Sequence, residues 1–114
     1  MAALQSWTLR GGVAVITGAA SGIGAALALD LARRGMHLAL VDLDAAGLEA
    51  TAPQARAAGV DVSTHALDIA DHAGVAALPA AVLARHGRVT ALVNNAGVAL
   101  GGLFEQVDAA DFDW

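Results

Sequence analysis

Apolar and polar residues along this chain fall into blocks whose period changes several times. Val13-Ala14-Val15-Ile16 is a continuous apolar, mostly β-branched run, the pattern of a strand buried on both faces. An alanine- and leucine-rich stretch follows, up to Gly35, with Ile23, Leu27 and Leu31 recurring at i, i+4 and i+8. That spacing predicts a helix that buries these three side chains on a sheet. His37-Leu38-Ala39-Leu40-Val41-Asp42 reads as a second strand ending in a carboxylate. Asp44 to Ala58 reads as a helix closed by Gly59, weakened inside by Gly47 and Pro53. A third strand lies within Val60 to Ile69, and Asp71 is placed to cap a helix running to His86 and stopped by Gly87. Pro79 is expected to kink or shorten that helix. Val89-Thr90-Ala91-Leu92-Val93 is the fourth strand and runs into Asn94-Asn95-Ala96-Gly97. A glycine-rich loop follows, and Asp108-x-x-Asp111 marks the start of another helix.

Strands alternating with helices imply βαβ units with right-handed crossovers, hence an α/β fold. About four parallel strands in the order 3-2-1-4, with helices on both faces, put the carboxyl ends of strands 1 and 4 side by side. That crevice is where an open doubly wound sheet binds its ligand.

Composition narrows the function. The chain has 114 residues, 57% of them hydrophobic, and a formal charge of −5, so it is one domain with a sizeable core rather than a disordered segment. No basic cluster interrupts the sequence, which argues against nucleic acid and anionic membranes as partners. The absence of cysteine excludes disulfides and thiolate metal sites. Gly11 to Leu29 is uncharged and contains Gly18-x-x-x-Gly22, superficially a membrane helix with a dimerisation motif. Its first half is strand-like and its second half helix-like, so a strand–turn–helix unit explains it better. No basic region followed by a cleavable apolar segment opens the chain; a cytoplasmic location is expected.

The turn between the first strand and first helix carries the chemistry. Thr17-Gly18-Ala19-Ala20-Ser21-Gly22-Ile23-Gly24 stands where backbone N–H groups and a helix dipole converge on a phosphate. Such a glycine spacing arises by chance on the order of once in a hundred such chains, so context must support it. Asp42, at the end of strand 2, is placed to accept hydrogen bonds from ribose hydroxyls; capping the next helix is its other reading, although Asp44 could cap instead. A carboxylate there repels a 2′-phosphate, and neither Ala20 nor Leu43 supplies a positive charge, so NAD is favoured over NADP. Asp68 could accept a bond from an adenine amino group or simply form a turn. Asn94 and Asn95 end strand 4 at the crevice, where their amides can bond neighbouring backbone.

Taken together, Thr17-Gly18-x-x-x-Gly22-Ile23-Gly24, Asp42, Asp68 and Asn94-Asn95-Ala96-Gly97 resemble the short-chain dehydrogenase/reductase family over almost the whole chain. The resemblance implies a Rossmann-type NAD-binding domain over residues 1–114, incomplete, the N-terminal part of an oxidoreductase that moves hydride between NAD(H) and an alcohol or ketone. It places Gly18, Ser21, Gly22, Ile23 and Gly24 along the pyrophosphate, and Asp42 and Leu43 at the adenosine ribose. Asp68 and Ile69 would face the adenine, and Asn95, Ala96 and Gly97 the nicotinamide side. Dimers or tetramers are implied for the complete enzyme. The family's proton transfer uses a Tyr-x-x-x-Lys pair, with a serine and an asparagine; this chain has no tyrosine and no lysine. No catalytic residue is therefore assigned, and the chain by itself is expected to be inactive. The alternatives are a non-catalytic dinucleotide-binding module, an inactive fragment, or a methyltransferase-type domain, which Asn94-Asn95-Ala96-Gly97 does not support.

Other constellations read as structure. His65, Asp68, Asp71 and His72 could be drawn as metal ligands, but residues 65 and 68 should point to opposite faces of a strand and Asp71 has a cap to make; no metal is expected. His86 beside Arg85 suits a helix C-terminus, His37 reads as a surface residue, and Glu105, Asp108, Asp111 and Asp113 as a solvated helix start. Ser21, with no histidine near it in sequence, is explained by the turn and not as a nucleophile. The edge of strand 4 and the loop Gly97 to Phe104 should expose apolar surface and invite association.

Overall fold

The computed structural model of the chain describes residues 9–95. Within them, β1 (Val13–Thr17), β2 (His37–Asp42), β3 (Val62–Ala66) and β4 (Ala91–Val93) form one parallel sheet in the order β3-β2-β1-β4. Helices α1 (Gly22–Arg33), α2 (Ala45–Arg56) and α3 (His72–His86) connect successive strands. This is the Rossmann-type doubly wound order expected from the sequence. Residue parity sorts the core. Ala14, Ile16, Leu38 and Leu40 pack with Ala28, Ala32, Leu48, Ala52 and Ala55 on the α1/α2 face. Val15, Ala39 and Val41 pack with Val82 and the partly buried Leu67, Ile69 and Leu78 on the α3 face. Both faces being covered is why β1 is buried along its whole length and reads as an unbroken apolar run.

Helix ends follow their local chemistry. Asp44 accepts the Gly47 amide and Asp71 the Ala73 amide. Gly87 ends α3 in the left-handed region, its N–H bonded to Leu83 O at 2.8 Å. Pro79 does not shorten α3, which runs all 15 residues from His72 to His86. A proline removes one backbone bond, and the packing of Leu78 and Val82 on the sheet outweighs that loss.

Three further expectations need correction. The fully buried face of α1 is Gly24, Ala28 and Ala32; of the three expected residues Leu31 is partly buried and packs against the core, whereas Ile23 is 72% exposed. Small side chains let the helix lie close to the sheet, which large ones would hold off. His37 is not simply a surface residue: it is half-buried, and its Nδ1 accepts the Asp61 amide at 3.0 Å. Strand β4 starts at Ala91 rather than Val89, because the Thr90 hydroxyl oxygen accepts the Val13 amide at 2.8 Å where a ladder carbonyl would otherwise stand. The predicted helix at Asp108-x-x-Asp111 and the loop Gly97 to Phe104 lie outside the described residues.

Candidate functional site at the strand ends

β1 delivers the chain into a turn that only glycine permits at two points. Gly18 has φ +68° and Gly22 φ +59°, backbone conformations that carry a penalty for any residue with a Cβ. Gly24 is required for a different reason: a Cβ there would lie 2.0 Å from Gly18 O and 2.8 Å from Asn95 Nδ2. The first turn of α1 therefore rests directly on the Gly18 carbonyl and beside the end of β4. Ser21, the N-cap residue of α1, makes no side-chain cap bond, whereas α2 and α3 are each capped by an aspartate. A helix N-terminus without a cap keeps amide donors and positive potential available to an outside acceptor.

The turn is tied to both neighbouring strands. Ala19 N–H donates to Val41 O at 3.2 Å, and Ala20 N–H donates to Asp42 Oδ2 at 2.9 Å. The other Asp42 oxygen, Oδ1, accepts the Asp44 amide at 3.0 Å. Asp44 is the cap of α2, so the capping alternative for Asp42 falls away. Its carboxylate sits against the glycine turn, oriented by two backbone donors and with lone pairs left over. On the opposite side, Thr17 Oγ1 accepts the Asn95 amide at 2.9 Å and directs its own proton toward Asn94 Oδ1, 3.2 Å away. Thr17 thus locks the end of β4 to the start of the turn.

Of the residues singled out from sequence, Gly18, Ser21, Gly22, Gly24, Asp42 and Asn95 come together here. Ile23 and Leu43, 72% and 70% exposed, offer apolar surface on adjoining segments. Asp68 lies beyond the end of β3, so the strand-face argument about residues 65 and 68 does not apply to it. It is exposed and accepts the Ala70 amide at 2.9 Å, the geometry of a turn former. Ile69 lines an apolar hollow of about 540 Å³ on the α3 face that adjoins the site through Thr17 and Asn94, with Leu92, Val82 and Val89 in its wall. Ala96 and Gly97 lie outside the described residues. Ala20, Gly47 and Thr51, which also meet at the turn, carried no sequence signal beyond the glycine motif itself.

The arginines gather at one end of the strand axis, where Arg34 pairs with Asp30 and Arg85 with Asp61. Arg33, Arg34, Arg56 and Arg85 lie at helix C-terminal ends, and Arg10 and Arg88 precede β1 and β4. All six arginines are therefore at the amino ends of the strands. Asp42 ends β2, and Asp44, Asp68 and Asp71 follow the carboxyl ends of β2 and β3.

A second polar cluster lies away from the turn. Asp61, Ser63 and His65 alternate on one face of β3, and Ser63 Oγ is 2.8 Å from both His65 Nε2 and His86 Nε2. His86 Nδ1 is 3.4 Å from Asp61 Oδ2, and Arg85 pairs with Asp61 at 2.7 Å. One proton arrangement satisfies the chain: His65 donates to Ser63, Ser63 to His86, and His86 to Asp61. Burial holds the His86 and His65 imidazoles below their ordinary range, and hydrogen bonding from Arg85 lowers the Asp61 carboxyl. The serine–histidine–aspartate distances resemble those of a hydrolytic triad, but Ser63 is 6% exposed and a second imidazole occupies its oxygen, so it is a structural ladder. His86 is correspondingly more than a dipole partner; its side chain is 1% exposed. Among the described residues no group of three ligating side chains could hold a metal ion, and no helix is long and apolar enough to cross a membrane.

The short chain dehydrogenase family model matches residues 12–114. D-threitol dehydrogenase of Mycolicibacterium smegmatis is 48% identical over 108 residues, covering 92% of this chain and 40% of the relative. A short-chain dehydrogenase/reductase from Burkholderia phymatum, solved in complex with NAD, superposes with a TM-score of 0.77 at 44% identity, covering 95% of this chain and 38% of that one. A metagenomic short-chain oxidoreductase solved in complex with NADP gives a TM-score of 0.74 at 42% identity, covering 91% and 48%. The chain thus spans less than half the length of each of these proteins.

Proposed function

Because this chain belongs to the short-chain dehydrogenase family, we propose that residues 1–114 are the dinucleotide-binding part, incomplete, of an NAD-dependent oxidoreductase. The observation that carries the reading is the uncapped N-terminus of α1 behind a turn that requires Gly18, Gly22 and Gly24, with the Asp42 carboxylate 2.9 Å from the turn's backbone. The amides from Gly18 through Gly24 hold the pyrophosphate, with Ser21 and Ile23 alongside. Asp42 and Leu43 meet the adenosine ribose, Asp68 and Ile69 the adenine, and Asn95, Ala96 and Gly97 the nicotinamide side. When bound, NAD supplies hydride transfer to or from an alcohol or ketone. The residues of this chain bind and orient the cofactor. None of them moves the substrate proton, since neither tyrosine nor lysine is present, and the chain by itself is inactive.

Preference for NAD over NADP follows from electrostatics. Asp42 faces the site where a 2′-phosphate would lie, and every arginine is at the other end of the sheet. One like-charge contact at that range opposes NADP by about 1–3 kcal/mol, or about 5- to 150-fold in affinity. A second reading, a dinucleotide-binding module without chemistry of its own, draws on the missing tyrosine and lysine. Fluorescence titration of the chain with NADH, NADPH and S-adenosylmethionine tests these readings. Saturable NADH binding, weaker for NADPH and absent for S-adenosylmethionine, is expected. Absence of saturable binding by either nicotinamide cofactor overturns the assignment.

A further inference from the structure

Helices α2 and α3 begin alike, each capped by an aspartate, with a glycine three residues on: Asp44 with Gly47, Asp71 with Gly74. What surrounds the two glycines differs. A Cβ on Gly74 would find its three nearest atoms all in Asp71, at 3.1 to 3.8 Å. A Cβ on Gly47 would lie 2.6 Å from Ala20 Cβ, 2.6 Å from Asp44 Oδ2 and 3.1 Å from Ala20 O. The first turn of α2 is therefore seated directly on Ala20, in the middle of the glycine turn. The Ala20 peptide is held on its remaining sides as well. Its N–H donates to Asp42 at 2.9 Å, and its carbonyl accepts the Thr51 hydroxyl at 3.4 Å. Ala19, next to it, is fully buried. Glycine inside a helix lowers helix stability relative to alanine, so helix propensity does not account for Gly47, whereas the space taken by Ala20 and by the Asp44 carboxylate does.

We propose that Gly47 is a positioning residue for the cofactor turn: without a side chain it lets α2 clamp Ala20, which sets the direction of the amides from Ser21 to Gly24. The inference rests on the dinucleotide reading above and identifies what shapes its cradle. Gly47 acts through Ala20 and touches no part of the cofactor. The control is built into the fold, since Gly74 has the same place relative to its helix cap and no turn packed on it.

NADH titration of the 114-residue chain, with a urea unfolding curve for each variant, tests this. Gly47→Ala should weaken NADH binding by about tenfold or more, while Gly74→Ala leaves it unchanged. In a double-mutant cycle, Ala20→Gly should restore much of the affinity lost in Gly47→Ala, because it removes the methyl group that the new Cβ strikes. A loss arising instead from the Asp44 carboxylate, which is also 2.6 Å from the added Cβ, would be the same with or without that second change. Should Gly47→Ala fail to fold, Thr51→Val carries the test: weaker NADH binding is expected, recovered by Thr51→Ser. Equal affinity for wild type and Gly47→Ala, a loss that Ala20→Gly leaves untouched, or wild-type affinity in Thr51→Val overturns the proposal. If the wild type binds no NADH, the cofactor reading fails separately, and the backbone ¹⁵N–¹H resonance of Ala20 still decides the clamp. It should shift in Gly47→Ala and stay in place in Gly74→Ala; no shift in either overturns it.

Discussion

Replacing Gly24 by alanine asks whether the start of α1 is seated by space. The added methyl would lie 2.0 Å from Gly18 O and 2.7 Å from Gly18 C. That carbonyl cannot swing aside, because the next two amides are tied to Val41 O at 3.2 Å and to Asp42 at 2.9 Å. Ordinary contact begins at 3.4 Å, so α1 must back away by about 1.4 Å. Its fully buried face is Gly24, Ala28 and Ala32, side chains too short to bridge the gap, with the partly buried Leu29 and Leu31 packed alongside. A gap of about 1 Å already forfeits up to about half of the dispersion attraction. Overpacking against backbone costs about 3 kcal/mol, and the better helix propensity of alanine returns about 1 kcal/mol. The net loss of about 2 kcal/mol, at a urea slope of about 1 kcal/mol/M for a short chain, lowers the unfolding midpoint by about 2 M. NADH affinity should fall further, by about 100-fold, because displacing convergent groups by an ångström costs that much. Gly22→Ala is the comparison: its Cβ would meet nothing within 4 Å, but φ is +59°. It should cost about 1–2 kcal/mol of backbone strain without moving the helix and should weaken NADH less. An unchanged midpoint together with unchanged NADH affinity in Gly24→Ala, or a larger binding loss in Gly22→Ala, would refute the steric account.

Acid should destabilise the chain in two stages. His86 and His65 titrate below the ordinary 6.5 in the folded state, chiefly through burial, so their contribution is complete above that pH. It is lost as pH falls below it, by up to about 1.4 kcal/mol per pH unit for each proton. Urea midpoints between about pH 8 and 5 check this, and His86→Gln should flatten the curve. Asp61 is lowered from 3.8 first by its hydrogen bond from Arg85, so a second loss begins as pH falls through that value and shrinks in Arg85→Ala. Asp42→Asn leaves one acceptor for two amides, costing about 1–2 kcal/mol of stability. It should also narrow the NADH over NADPH preference, and an unchanged ratio counts against the ribose role. Leu92, Leu83 and Val89 are 67%, 48% and 43% exposed around the apolar hollow. Leu92→Glu with Leu83→Glu should therefore reduce self-association in sedimentation, and a monomeric wild type would contradict this.

Element order, strand direction and the strand order that sets the ends of β1 and β4 side by side were legible in the amino-acid pattern. Buried parallel strands are marked by unbroken apolar runs such as Leu38-Ala39-Leu40-Val41, and Asp44, Asp71 and Gly87 punctuate the helices through local hydrogen bonding and local backbone conformation. Such signals act over a few residues, so a linear reading captures them. Which side of α1 faces the sheet was decided only in three dimensions. Side-chain hydrophobicity favoured Ile23, Leu27 and Leu31, and Leu31 does pack on the core, but Gly24 must approach the Gly18 carbonyl, and that contact turns Ala28 and Ala32 fully inward and leaves Ile23 outside. The Ser63–His86 bond, between residues 23 apart, and the seating of Gly47 on Ala20 likewise exist only because crossovers bring distant segments together. Periodicity records which residues avoid water; the space left between packed backbones is set by the whole fold.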